Sequence, residues 1–342
     1  MDDQEKLIQL FEQASLSLLQ MIRSSVGLTQ RRYLRVLQEV LTITASMQEG
    51  ATSLLLKIIE KSYKEGSDET INELTIKGFE NIQATFSTGI DRRAVQQIVD
   101  DAFYTILEAT DFMAEDVKQR LESIVQAANS ASLIEGQSRR EVTKRAIAEA
   151  SETGITGIIA KNGARIPVEK YLTGTIQYYQ RKAHVDGAIN RMVQNNLDLI
   201  YVNSVGITCS VCAQYQGRVY SLSGRDERFP PLLEKPPYHA HCVHSAYPWI
   251  ERYEDQEEIE RMLVESNRPF EDNRAERNIK RYNELQREKS KKNDTRKQWI
   301  RYKSRMPDLP DLKTFASHKA RNTKKYQEWM ADYREIGNIL ID

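Results

Sequence analysis

The first 166 residues of this 342-residue chain contain no proline; all nine prolines lie from Pro167 onward. Nothing in that front part therefore forces a helix to break. Cysteine is nearly absent too. Three residues, an odd number, argue against a disulfide framework and fit a compartment where thiols stay reduced. No run approaches the ~18 apolar residues needed to span a membrane. The opening "MDDQEKLIQLFEQ" is acidic where a secretory signal is basic, so a cytosolic origin is expected. Net charge is zero as well, but the zero hides an asymmetry. Residues 1–130 hold 13 basic and 20 acidic residues, a net of −7, whereas 274–305 hold 13 basic and 4 acidic, a net of +9. An acidic front and a basic back point to different partners at the two ends.

What is present reads first as helix. Leu7, Phe11, Ala14, Leu18 and Ile22 recur at helical spacing, and Leu34, Leu37 and Leu41 repeat the pattern. A third helix is expected from Asp91, burying Val95, Ile98, Ala102 and Ile106; a fourth opens on the capping-box spacing of Ser138 and Glu141. Gly27, Gly50, Gly66 and Gly89 are expected to turn the chain. Leu54, Leu55, Leu56, Ile58 and Ile59 cover much of a helix circumference and need an enclosed core or a partner surface.

The pattern changes at "GITGIIAKNGARIPVEKY", where Asn162-Gly163 between short runs predicts a β-hairpin and Pro167 the start of a long helix. "LDLIYVNS" and "GRVYSL" read as strands, and "RFPPLLEKPPYH" as a loop. After Pro248 the chain returns to helix, and "EDNRAERNIKRYNELQREKSKKNDTRKQWIRYKSR" is so charged that a solvated or partner-bound helix is expected. "MPDLPDLKT" breaks it, and a closing helix carries Tyr326, Met330 and Tyr333 on one face. The expected class is α+β, predominantly α-helical, in three parts: a helical region at 1–137, an α/β core at 138–250 and a charged helical tail at 251–342.

All three cysteines and three of the five histidines fall between Cys209 and His244. The spacing is Cys209-x2-Cys212, then 26 residues, then His239-x2-Cys242-x-His244. A Cys-x2-Cys knuckle brings two thiolates to one ion, and a pair from a distant segment closes a tetrahedron. That is the pattern of structural zinc, with four N/S ligands and no open position. The expected ligands are Cys209, Cys212, His239 and Cys242, with His244 as the alternative to His239; His241 would point away. Such a site would supply folding energy to the Pro-rich loop. A redox dithiol lacks its usual strand–helix context. Catalytic zinc would need an open position and a base, and Glu234 is the only acid shortly before His239. No Walker loop, Gly-x-Ser-x-Gly, His-Glu-x2-His or deaminase order is present.

With these residues in view, the segment resembles the phage minor capsid, or head morphogenesis, family. The shared features are Cys209 and Cys212, "QGRVYSL" from Gln216, "FPPL" from Phe229 and "HAHCVH" from His239, with the lead-in "GITGIIAKNGARIPVEKYL" and the charged "ERNIKRY" beyond. The resemblance covers about residues 150–290. Ala240, His241 and Val243 depart from the family's usual Pro, Asn and Arg. It implies a structural, non-enzymatic protein of the virion interior, assembled in host cytoplasm beside the portal and inner capsid, that handles packaged or ejected DNA. Residues 1–130 are expected to carry the docking, independently of the zinc module. Double-stranded DNA would meet the tail, where Lys289, Lys291, Lys292, Arg296 and Lys297 offer phosphate contacts and Tyr282, Trp299 and Tyr302 offer base stacking. The alternative is a zinc-supported nuclease or toxin domain delivered with phage DNA; His184 is its only spare histidine in the middle region.

Overall fold

The computed structural model describes residues 2–28, 30–86, 89–131 and 138–339. The boundary expected at residue 137 lies outside them. The helices are α1 (Asp3–Arg23), α2 (Gln30–Ile76), α3 (Asp91–Ala131), α4 (Arg139–Ala150), α5 (Val168–Gln194), α6 (Ser210–Tyr215), α7 (Gln256–Ser266), α8 (Glu276–Arg305), α9 (Leu312–Ala320) and α10 (Lys324–Ile339). The strands are β1 (Thr156–Ile159), β2 (Arg165–Pro167), β3 (Leu199–Val202), β4 (Arg218–Ser221) and β5 (Ala246–Pro248). The class is α+β and predominantly helical, as expected.

The chain divides into two compact units that interleave along the sequence. One comprises Met1–Leu7, Ala51–Thr105 and Thr173–Leu285; the other Ile8–Gly50, Ile106–Leu172 and Gln286–Asp342. Helices α1, α2, α3, α5 and α8 thus each give one stretch to either unit.

The first unit is built on an antiparallel sheet of order β4-β3-β5. Side chains alternate across a strand, and both faces of β3 are used. Ile200 and Val202 pack with Val185, Ala188, Ile189 and Met192 of α5. Leu199 and Tyr201 face Val219, Phe229, Trp249 and Met262. Strands β3 and β4 are where the sequence places them; β5, only Ala246–Pro248, is an addition. Gly66, expected to turn the chain, sits instead at a helix crossing, opposite Gly187. A Cβ on Gly66 of α2 would lie 1.9 Å from the His184 carbonyl oxygen, and one on Gly187 of α5 would lie 2.0 Å from the Tyr63 carbonyl oxygen. The two backbones touch reciprocally, and Tyr63 Oη is clamped there between Asp91 Oδ1 at 2.7 Å and Asn190 Nδ2 at 2.6 Å. Leu55, Ile58 and Ile59 are buried, so most of the apolar run of α2 is core and only Leu56 of that set is exposed.

In the second unit the hairpin β1–β2 closes through Gly163, at φ +77°, as Asn162-Gly163 predicts. Asp116, buried on α3, holds it: its carboxylate accepts from the Thr156 amide at 2.9 Å and pairs with Arg120 at 2.8 Å and Arg165 at 3.1 Å. Gly50 is another glycine that does not turn the chain; it lies within α2, against Leu10. The buried face of α2 here runs through Val36 and Val40, while Leu34 and Leu41 stand 59% and 53% exposed. Ser138 precedes α4 but makes no side-chain cap. The end of α8 is not solvated: Ile300 and Tyr302 are buried, and Tyr302 joins Leu309, Phe315, Tyr326 and Trp329 in an aromatic core flanked by Met330 and Tyr333.

Candidate metal centre

Cys209 caps α6, its Sγ accepting from the Cys212 amide at 3.4 Å. That turn of helix carries Cys212 back toward the same point, as a Cys-x2-Cys knuckle requires. Gly217, at φ +69°, then reverses the chain into β4. The Pro-rich loop leaves β4 and is pinned to it at once, Leu232 donating to the Ser221 carbonyl at 2.9 Å with Phe229 buried in the core. The Tyr238 ring stacks on Tyr215, centroids 4.5 Å apart. A tight turn closed by Cys242 N–H on the His239 carbonyl at 2.9 Å presents the second set of candidate ligands just before β5.

Five donor atoms converge in two triads that share Cys212: Cys209, Cys212 and His239; and Cys212, Cys242 and His244. His239 Nε2 stands 3.2 Å from Cys209 Sγ and 3.1 Å from Cys212 Sγ. Cys212 Sγ is 3.8 Å from Cys242 Sγ, and Cys242 Sγ is 3.5 Å from His244 Nδ1. A zinc–sulfur bond of ~2.3 Å puts tetrahedral thiolates about 3.8 Å apart, so the cysteine pair fits such an ion. Cys212, Cys242 and His244 are buried. Cys212 donates to Cys242; that bond pulls the Cys242 thiol well below its ordinary range and, with burial, pushes Cys212 up. The shift at Cys242 is toward the thiolate, the form a metal binds.

The neighbours of the cluster are polar and fixed. Gln216 Oε1 accepts from the Val205 amide at 2.8 Å and meets His244 Nε2 at 2.9 Å. The His241 amide points at His239 Nδ1 at 3.2 Å, while the His241 ring is outside both triads. Arg274, just ahead of α8, donates to the Thr208 carbonyl at 2.8 Å and so ties that helix start to the knuckle. The fully buried Arg218 bonds the carbonyls of Gln214, Ser266, Arg268 and Pro269 and stacks on Phe270. Neither arginine is distinguishable from a surface charge by spacing alone. His184 pairs with Glu69 at 3.1 Å and belongs to neither triad.

The basic tail residues divide. Lys289, Lys291, Lys292 and Lys297 are exposed on α8. Arg296 is instead ion-paired to Glu169, whose buried carboxylate also accepts from Ser15 at 3.3 Å. Two of the three aromatic residues expected to stack on bases are committed elsewhere. Trp299 donates Nε1 to the Pro310 carbonyl at 2.8 Å, and Tyr302 stacks on Tyr333 at 4.3 Å in the aromatic core. Tyr282 lies under the Arg274 guanidinium, 5.5 Å from ring centre to carbon.

Residues 5–333 match the family model described as phage minor capsid protein 2. No curated protein and no solved structure matches.

Proposed function

The chain belongs to the phage minor capsid protein 2 family, and on that premise we propose that it is a non-catalytic structural component of the phage head. In this reading it assembles in host cytoplasm beside the portal and inner capsid wall and stays inside the virion. The observation that carries the reading is the breadth of the match, residues 5–333, far beyond the Cys/His segment. Structural zinc is part of the proposal: the 3.8 Å thiol pair and donors that are all cysteine or histidine support a cross-link rather than a reactive ion. Docking is assigned to apolar positions left uncovered, led by Leu34 and Leu41, two turns apart on α2 and both more than half exposed. The exposed lysines Lys289, Lys291, Lys292 and Lys297 supply sequence-independent contact with packaged DNA.

The test is composition of the particle. Heads assembled with the full-length chain should contain it by mass spectrometry, and the double variant Leu34→Glu, Leu41→Glu, folded by circular dichroism, should be left out of them. Absence of the wild-type chain from purified heads would refute the structural reading. Undiminished incorporation of the folded double variant would move docking elsewhere.

A further inference from the structure

We propose that the histidine ligand is His244, through Nδ1, and that His239 is not a ligand but a hydrogen-bond donor to the thiolates. The inference rests on the metal reading above and deepens it. Tautomers decide the matter, because a neutral imidazole binds a metal only through the nitrogen that carries no proton. Gln216 Oε1 already accepts from the Val205 amide at 2.8 Å, which identifies that atom as the oxygen. His244 Nε2, 2.9 Å from the same oxygen, must then be the protonated nitrogen. Its Nδ1 is left with a bare lone pair, buried and 3.5 Å from Cys242 Sγ. Metal-binding histidines are fixed in just this way, by an acceptor that holds the far N–H.

His239 is set the other way. The backbone N–H of His241 is aimed at its Nδ1 from 3.2 Å, so Nδ1 accepts and Nε2 carries the proton. That proton lies between Cys209 and Cys212 sulfurs, at 3.2 and 3.1 Å. Distances agree with the tautomers. With metal bonds of ~2.0 Å to nitrogen and ~2.3 Å to sulfur, a tetrahedral N···S edge is about 3.5 Å. His244 matches it, whereas His239 stands closer, where an N–H donor meets sulfur. The ligand set we assign is therefore Cys212, Cys242 and His244, which meet in one triad, with Cys209, which meets Cys212 in the other, as the fourth member; Gln216 and His239 are the residues that orient it.

Full-length protein loaded with Co²⁺ alone reports the ligand set by its visible absorption. Wild type should give a three-sulfur, one-nitrogen spectrum. His244→Cys keeps a ligand in place and should convert it to a four-sulfur spectrum with stronger sulfur-to-metal charge transfer. His239→Ala should leave spectrum and stoichiometry as in wild type. Gln216→Leu should weaken zinc about 10–100-fold in chelator competition without changing the spectrum. If instead His239→Cys gives the four-sulfur spectrum and His244→Cys does not, the assignment is overturned while the metal reading survives. Unchanged zinc affinity in Gln216→Leu overturns the orienting role. A wild-type chain that takes up neither zinc nor Co²⁺ overturns the metal reading itself.

Discussion

Replacing Gly66 with alanine should destabilise the protein, although the same change in a solvent-facing helix stabilises it by up to about 1 kcal/mol. The reason is the crossing of α2 and α5. The added methyl would sit 1.9 Å from the His184 carbonyl oxygen and 2.8 Å from its carbon. Carbon and carbonyl oxygen normally approach to roughly 3.3–3.6 Å, so the helices must separate by more than about 1 Å. Moving backbone in a packed core costs about 1–3 kcal/mol and sometimes more. Here the shift also disturbs Tyr63, whose hydroxyl is held at 2.7 and 2.6 Å by Asp91 and Asn190. Net of the propensity gain, a destabilisation of roughly 1–2 kcal/mol is expected. Gly187→Ala should behave alike, its methyl lying 2.0 Å from the Tyr63 carbonyl oxygen. The double variant should be destabilised by less than the sum of the single effects, since the first methyl already opens the crossing for the second. Gly174→Ala on the same helix α5 is the control: its methyl meets His241 Cε1 at an ordinary 3.6 Å, and stability should hold or rise. Urea midpoints followed by far-ultraviolet circular dichroism decide it. A Gly66→Ala variant as stable as Gly174→Ala would refute the close crossing.

Metal analysis of the purified chain should find close to one zinc, absent from Cys209→Ser and Cys242→Ser, and chelation should make residues 205–245 sensitive to protease; a metal-free loop that resists digestion would argue against the cross-link. Replacing Lys289, Lys291 and Lys292 with Gln should flatten the log–log salt dependence of duplex DNA binding by about 0.9 for each phosphate no longer neutralised; an unchanged slope would assign those charges to a protein partner. Arg296→Gln should act on stability instead, by about 1.5–3 kcal/mol, because it removes the charged partner of the buried Glu169 carboxylate. Adding Glu169→Gln should recover much of that stability, and a neutral Arg296→Gln would show the pair contributes little.

The helices are legible wherever apolar residues keep a 3.6 period, and the hairpin wherever Asn-Gly separates two short runs. Both signals are local. Gly50 and Gly66 mislead because glycine reads as a turn, while their reason for being glycine lies on other helices, at Leu10 and His184. Leu34 and Leu41 share a face with Leu37, but Val36 and Val40 one residue away define the face that is buried. Sequence spacing cannot choose between two adjacent apolar stripes. Trp299 and Tyr302 read as nucleic-acid stackers because a basic helix surrounds them; their partners Phe315, Tyr326 and Trp329 arrive from later helices. The candidate metal ligands are visible as a cluster, yet the choice we propose between His239 and His244 turns on Gln216 and the His241 amide, contacts that only a fold supplies.

The interleaving of the two units has a consequence for synthesis. The unit that begins with residues 1–7 also needs residues 173–285. A ribosome adding ~5–20 residues per second reaches residue 285 only after roughly 15–60 s. Through that time α2 and α3 lack the residues 173–285 that complete their unit, among them the α5 backbone that meets Gly66. Such long-range closure slows folding and prolongs the exposure of sticky surface. Completion of the first unit therefore waits on synthesis of its last stretch. A product that stops before Thr173 lacks a stretch of each unit.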